Sequence, residues 1–310
     1  MNKLIAFGEV LEDYVPEGDG FKKLVGGAPL NFLSMASQLG ASSYMITGLS
    51  KDEGSQRVLE MMNREGVHTE FVKFDPTTSL CHTEVSVDRT TGEREFYFFK
   101  KNASFLSLNE DDIKEYWFVK GDVFHFGTVC LLGDSIYKAQ MKACEIAQEK
   151  GCLISFDPNF RATLFKEEEQ KKLVLDFISF ADILKLGEDE LKVMSDDGVD
   201  GLFRNYTNIK LIFLTKGSNG IDLCFRNEKI IHMDSIKPNK IVDTVGCGDC
   251  SFGAFISTFI INHLTENNNI DKLDESIYLS ALKRAVTAGS LLCEQQGALP
   301  VPSKEIVLGE

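Results

Sequence analysis

The feature that most limits what this chain can fold into is a repeated alternation of short apolar runs with longer segments patterned for helices. Apolar runs at 4–7, 43–47, 123–126, 153–156, 183–186 and 211–214 end close to Gly, Asp or Thr, as strands buried on both faces do. Helical patterns lie between them, at 29–39, 135–150 and 166–180. In the first of these, Phe32, Met35, Ala36 and Leu39 make one apolar stripe. This order predicts an α/β fold of three layers, a mostly parallel sheet with helices on both faces. The period changes to two within 10–24 and 75–105, most clearly at 83–87 and 95–99, with a turn-like stretch at 88–93. These two regions are expected to pair as a small antiparallel β-sheet, placed as a lid over a cleft or as the contact of a homodimer. No repeat, low-complexity tract or linker divides the chain, so 1–310 reads as one domain carrying lid segments at about 10–24 and 75–105.

Composition removes several functions. The formal net charge is −14, and such a surface does not track nucleic-acid phosphates or anionic lipid. No stretch reaches the roughly 20 apolar residues of a membrane helix, and the apolar part of the N-terminus is too short for a signal peptide. A cytoplasmic protein is expected. The eight cysteines are scattered, mostly in apolar segments, which is the usage of a reduced compartment. Cys247 and Cys250 alone have metal or redox spacing, and no second pair completes a zinc site. The acidity also sets a demand. An anionic substrate needs local positive potential from a helix N-terminus, a few cationic side chains or a metal ion.

The segment 242–250 answers that demand. Gly246 and Gly248 stand just before a helix whose stripe is Phe252, Phe255, Ile256 and Phe259, so backbone N–H groups can converge on an anion. Asp249 would repel a phosphate, but it can accept a proton from a hydroxyl attacking a transferring phosphoryl group. A helix N-cap after a tight turn accounts for the same residues. A dinucleotide fingerprint fails because position 251 is Ser251, and no P-loop occurs. A second segment, Gly26-Gly27-Ala28-Pro29-Leu30-Asn31, opens the 29–39 helix. Pro29 suits a first turn, and Asn31 offers both donor and acceptor. A plain loop leading into a capped helix reads equally well.

Asp243-Thr244-Val245-Gly246-Cys247-Gly248-Asp249 resembles the C-terminal signature of the ribokinase-like, or PfkB, family of carbohydrate kinases. Gly26-Gly27-Ala28-Pro29 resembles its N-terminal signature in the form typical of fructokinases. The likeness continues in order through residues 8–13, Asp157-Pro158-Asn159-Phe160-Arg161, residues 215–220 and Gln296-Gly297-Ala298. It implies a ribokinase-like fold and transfer of a phosphoryl group from ATP, with Mg2+ and a monovalent cation (potassium), to a small sugar. Fructose stands first; 2-keto-3-deoxygluconate, ribose and nucleosides are the alternatives, and a sugar-binding regulator without turnover is the rival of another class.

By the same resemblance Asp249 is the base, and Gly246, Cys247 and Gly248 form its anion hole. Asp13, Gly26, Gly27, Asn31, Lys100, Asn159 and Arg161 fall at the sugar, although Arg161 reads as readily as a surface ion pair. Lys185, Gly187, Thr215, Gly217 and Gly220 fall at ATP, Glu190 organises Mg2+ through water, and Asp243 lends its carbonyl to the monovalent cation together with the loop around Gly297. Some positions depart from the family. Val245 and Cys247 replace the common Thr and Ala, Gly187 replaces Asn or Ser, and Lys100 and Phe105 stand where fructokinases usually carry Arg and Asp. Lys lacks the planar fork of Arg. The Cys247 thiol, at a helix N-terminus, is expected to have a lowered pKa.

Overall fold

A computed structural model describes residues 2–87, 94–99, 101–128, 131–160 and 166–309, with the side chains of 85–87, 94–99 and 167 excepted. The chain begins on β1 (Lys3–Phe7), then forms a hairpin of β2 (Leu11–Glu17) and β3 (Gly20–Gly26). It continues through α1 (Ala28–Gln38), β4 (Ser42–Leu49), α2 (Glu53–Glu65) and β5 (Val72–Phe74) to a second hairpin, β6 (Cys81–Val87) and β7 (Arg94–Phe99). The alternation then runs β8 (Val123–Gly127), α3 (Asp134–Glu149), β9 (Leu153–Asp157), α4 (Glu167–Ile178) and β10 (Ile183–Gly187). After α5 (Glu188–Met194), α6 (Gly198–Asn205) and β11 (Leu211–Thr215) come β12 (Ile221–Phe225) and β13 (Ile230–Met233). The helices α7 (Cys247–Ile261), α8 (Glu275–Leu292) and α9 (Lys304–Leu308) close the chain.

Among the described residues the main sheet has the order β13-β12-β11-β10-β9-β8-β1-β4-β5. It is parallel from β5 to β11 and antiparallel at β12 and β13. The strand period explains the three layers. Leu4 and Ala6 of β1 enter the core beneath α1, α2, α7 and α8, while Ile5 and Phe7 enter the core beneath α3 and α4. The mostly parallel sheet with helices on both faces is therefore present as expected. No described helix is long and apolar enough to cross a membrane.

The small sheet has the order β3-β2-β6-β7. It is mixed rather than wholly antiparallel, because β2 and β6 run side by side in the same direction. Within each hairpin the strands are antiparallel, but the two hairpins are joined by a long excursion through α1, β4, α2 and β5 that can return the chain in either sense. The turn-like stretch at 88–93 lies outside the described residues, as do Lys100 and Arg161. Phe105, by contrast, is 2% exposed and belongs to the second core, so that position offers packing and no polar group to a sugar.

Two helices bring the distant signatures together. The helix α7 is apolar on every side and packs between α1 and α8. At Gly253 an added Cβ would lie 2.3 Å from the carbonyl oxygen of Phe32, so α1 and α7 cross at near backbone contact. That crossing sets Asn31, in the first turn of α1, beside Asp249, in the first turn of α7.

Candidate active site

The turn before α7 is built around Gly246. Its φ of 76° is left-handed, and a Cβ there would lie 2.4 Å from the Cβ of Ala298. Both demands admit glycine and little else. Asp243, 6% exposed, bolts the turn from below: Oδ1 accepts from the N–H of Val245 at 3.2 Å and Oδ2 from the N–H of Gly297 at 3.1 Å. The N–H of Cys247 donates to the carbonyl of Thr244 at 3.3 Å, so an anion at the turn must compete with Thr244 for it.

Asp249 follows, and its Oδ2 accepts from Nδ2 of Asn31 at 3.0 Å. Asn31 is 4% exposed, and its Oδ1 is buried with no partner among the described residues. A buried acceptor left unsatisfied costs about 1–3 kcal/mol; a hydroxyl entering the cleft would satisfy it. Asn31 thus holds the carboxylate with its amide nitrogen and keeps its amide oxygen available.

Positive charge comes from Lys185 on β10. It is 7% exposed and forms an ion pair with Asp157 at the end of β9. A Cβ placed on Gly248 would be 3.6 Å from its Nζ, so the ammonium lies directly against the turn. Burial by itself would depress the lysine pKa, but Asp157 first, then Asp249 and Glu190, outweigh it and hold the ammonium charged. Glu190 ties the neighbouring loop in place, with Oε1 accepting from the N–H of Phe160 at 2.8 Å and Oε2 from that of Gly187 at 2.7 Å. Burial, and next the charge of Asp157, raise its pKa. Thr215, at the end of β11, donates its hydroxyl to the carbonyl of Leu186 at 3.3 Å; Gly217 and Gly220 shape the turn into β12.

On the small sheet, Oδ1 of Asp13 accepts from the hydroxyl of Thr83 across β2 and β6, and Oδ2 lies 3.4 Å from the Cβ position of Gly26. The preceding residue, Glu12, faces the other way and is 2% exposed. Arg57 of α2 grips it with two hydrogen bonds, Nε to Oε1 at 2.5 Å and Nη2 to Oε2 at 3.1 Å, fastening the small sheet to the body.

The model of the pfkB family carbohydrate kinases matches residues 1–304. The chain belongs to that family. Among its relatives are probable fructokinase-7 of Arabidopsis thaliana, 32% identical over 98% of this chain and 91% of its own length, and fructokinase-1 of Zea mays, 30% identical over 98% and 96%. In structure the kinase is similar to a fructokinase with bound ATP from Xylella fastidiosa, with a TM-score of 0.90, 23% identity and coverage of 99% and 97%. It is also similar to a fructokinase of Vibrio cholerae O395 in a fructose-, ADP- and calcium-bound form, with a TM-score of 0.86, 25% identity and coverage of 100% and 98%.

Two residues of the kinase alter the expectations from sequence. The Cys247 thiol is not activated. Burial first, and then the thiol of Cys293 at 2.9 Å, push its pKa well up, and the helix terminus cannot offset them. The second residue, His125, was not singled out by the sequence. It lies on β8, 3% exposed, stacked on Phe32 at 3.9 Å with Nδ1 3.0 Å from the hydroxyl of Ser155. With Glu9, Pro29, Asp157 and Asn159 it lines a cavity of about 10 Å³, room for one water. Its place in an apolar strand between Phe124 and Phe126 gives no periodic signal.

Burial pushes the His125 pKa down to about 3 from an ordinary 6.5. The unfolded chain therefore binds a proton that the folded kinase refuses between those values, and stability held above pH 6.5 is lost as pH falls through that window. The contribution is roughly 1.4 kcal/mol per pH unit. Glu65, Asp182 and Glu190, whose pKa values are raised, act in the opposite sense. Denaturation series across the upper half of the window are expected to show a shallower slope for His125→Phe than for the wild type, whatever the offset between the two curves. Parallel curves would contradict a neutral buried imidazole.

Proposed function

We propose that the kinase transfers the γ-phosphoryl group of ATP to a hydroxyl of fructose, with Asp249 as general base. The observation that carries this is the convergence at the start of α7, where Asp249 is held by Asn31 and the Lys185 ammonium lies against Gly248. Names of relatives and of bound ligands in similar structures support the same substrates. Fructose lies between the turn and the small sheet, with Asp13, Gly26, Gly27, Asn31 and Asn159 toward its hydroxyls. Asp249 takes the proton of the attacking hydroxyl. The N–H groups of Gly246, Cys247 and Gly248 and the ammonium of Lys185 meet the charge that develops on the phosphoryl oxygens. The small sheet covers the sugar and excludes water, which keeps ATP from hydrolysis.

Mg2+ enters with ATP. Glu190 and Asp157 offer oxygen donors, which suit a hard cation, while the Lys185 ammonium already pairs with Asp157, and among the described residues no group of three or more His, Cys, Asp or Glu is placed to hold a metal by itself. Glu190 would thus hold Mg2+ through water, and the ion supplies charge neutralisation on the phosphates. Potassium would take carbonyl oxygens, that of Asp243 and those of the loop around Gly297; the Asp243 carboxylate is already engaged in bolting the two together.

ADP release measured over a panel of fructose, 2-keto-3-deoxygluconate, ribose and nucleosides tests the substrate. Fructose is expected to give a kcat/KM at least tenfold above the others. Preference for another acceptor would replace fructose, and no release with any of them would leave a sugar-binding regulator. Two substitutions locate the sugar. Asp13→Ala is expected to raise the fructose KM about tenfold or more and leave the ATP KM unchanged, because a hydroxyl partner in a closed site is lost. Asn31→Ala is expected to lower kcat as well, because Asn31 also holds the base. Equal shifts in both KM values would mean that Asp13 does not lie at the sugar.

A further inference from the structure

We propose that Cys247 and Cys293 are an oxidation site, which a hydroperoxide converts to an intramolecular disulfide that locks the phosphate turn. The two sulfur atoms are 2.9 Å apart, although 46 residues separate them in sequence. Closing the gap to a bond of about 2.0 Å needs a shift of roughly 1 Å, within reach of two small side-chain rotations. Cys247 is the first residue of α7, and Cys293 caps the end of α8. Both are half-buried, open to an oxidant the size of peroxide, while Cys250, one turn further along α7, is fully buried.

Cys293 already grips the turn through its backbone, since its carbonyl accepts from the N–H of Val242 at 2.8 Å and of Asp243 at 3.3 Å. A disulfide would add a covalent grip on the far side of the same turn. The Cys247 N–H donates to Thr244, and it must be released for a phosphate. A tether at its side chain resists that release. This consequence rests on the proposed phosphate role of the turn; the bond itself does not.

The chemistry balances without a further reactant. The Cys293 thiol attacks one peroxide oxygen, giving a sulfenic acid and the first water (or alcohol, from an organic peroxide). The Cys247 thiol then displaces the hydroxyl group, the S–S bond forms, and the second water leaves with the remaining thiol proton. Two thiols are oxidised and one peroxide is reduced. Because the Cys247 thiol is hard to ionise, the second step is slow at neutral pH and quickens as pH rises.

The test uses the full-length kinase treated with hydrogen peroxide at mildly alkaline pH, then with dithiothreitol. Expected are an intact mass lower by two hydrogens, a mapped Cys247–Cys293 peptide, and at least a tenfold fall in turnover that dithiothreitol restores. Cys293→Ser, or Cys293→Ala if the serine unsettles the end of α8, is expected to keep the untreated turnover and to lose both the mass change and the reversible inhibition. Absence of the cross-linked peptide, a disulfide with turnover unchanged, or a Cys293 variant inhibited and restored like the wild type would each overturn the proposal. If the untreated kinase proves inactive on sugars, the peptide map still decides whether the bond forms.

Discussion

Asp249→Asn is expected to fold as the wild type does and to lose turnover by roughly 10²–10⁴-fold, the usual cost of removing a general base. The substitution keeps size and shape. Asn31 can still donate to the new side-chain carbonyl, so the hydrogen bond at 3.0 Å that joins α1 to α7 survives. What disappears is the ability to take a proton. ATP affinity is expected to hold or improve, because one negative charge leaves the neighbourhood of the phosphates. Steady-state kinetics with a melting curve alongside check both halves. A variant that keeps more than half of wild-type turnover would remove Asp249 from the role.

Lys185→Met is expected to lower the melting temperature by roughly 5–8 °C, in addition to its effect on turnover. The ammonium is buried and pairs with Asp157, while Asp249 and Glu190 contribute further favourable charge. Removing it leaves carboxylates without compensation in a dry interior. Breaking one side of such a pair costs roughly 3–5 kcal/mol; a chain of this size converts that to the stated shift. Removing both charges is far gentler, so Lys185→Met with Asp157→Asn is expected to recover much of the loss. A single variant that melts with the wild type, or a double variant no better than the single, would contradict the pairing as a source of stability.

The parts of the fold that could be read from sequence are those whose cause is local. Strands such as β8 to β11 are buried on both faces and announce themselves as apolar runs, and α1 shows its stripe. The parallel pairing of β2 with β6 could not be read, because it depends on how the chain returns after a long excursion. At the site, Gly246, Gly248 and Asp249 form one turn, so turn chemistry pointed to them directly. The links between elements stayed hidden. Lys185 surfaced through family resemblance, whereas its pairing with Asp157 joins neighbouring strands. Thr83 meets Asp13 through sheet register, and His125 meets Phe32 through packing of α1 on β8. Cys247 shows the limit most clearly: the helix terminus argues for an acidic thiol, and burial first, then a cysteine 46 residues away, reverse it.

The most direct test of the central claim is phosphorus NMR of the purified kinase with ATP, Mg2+ and fructose. The expected result is loss of the γ-phosphate signal with one fructose phosphate formed for each ADP, and product formation slowed at least a hundredfold in Asp249→Asn, in line with removal of a general base. Inorganic phosphate in place of a sugar phosphate, an unchanged ATP spectrum, or equal rates in the wild type and Asp249→Asn would contradict it.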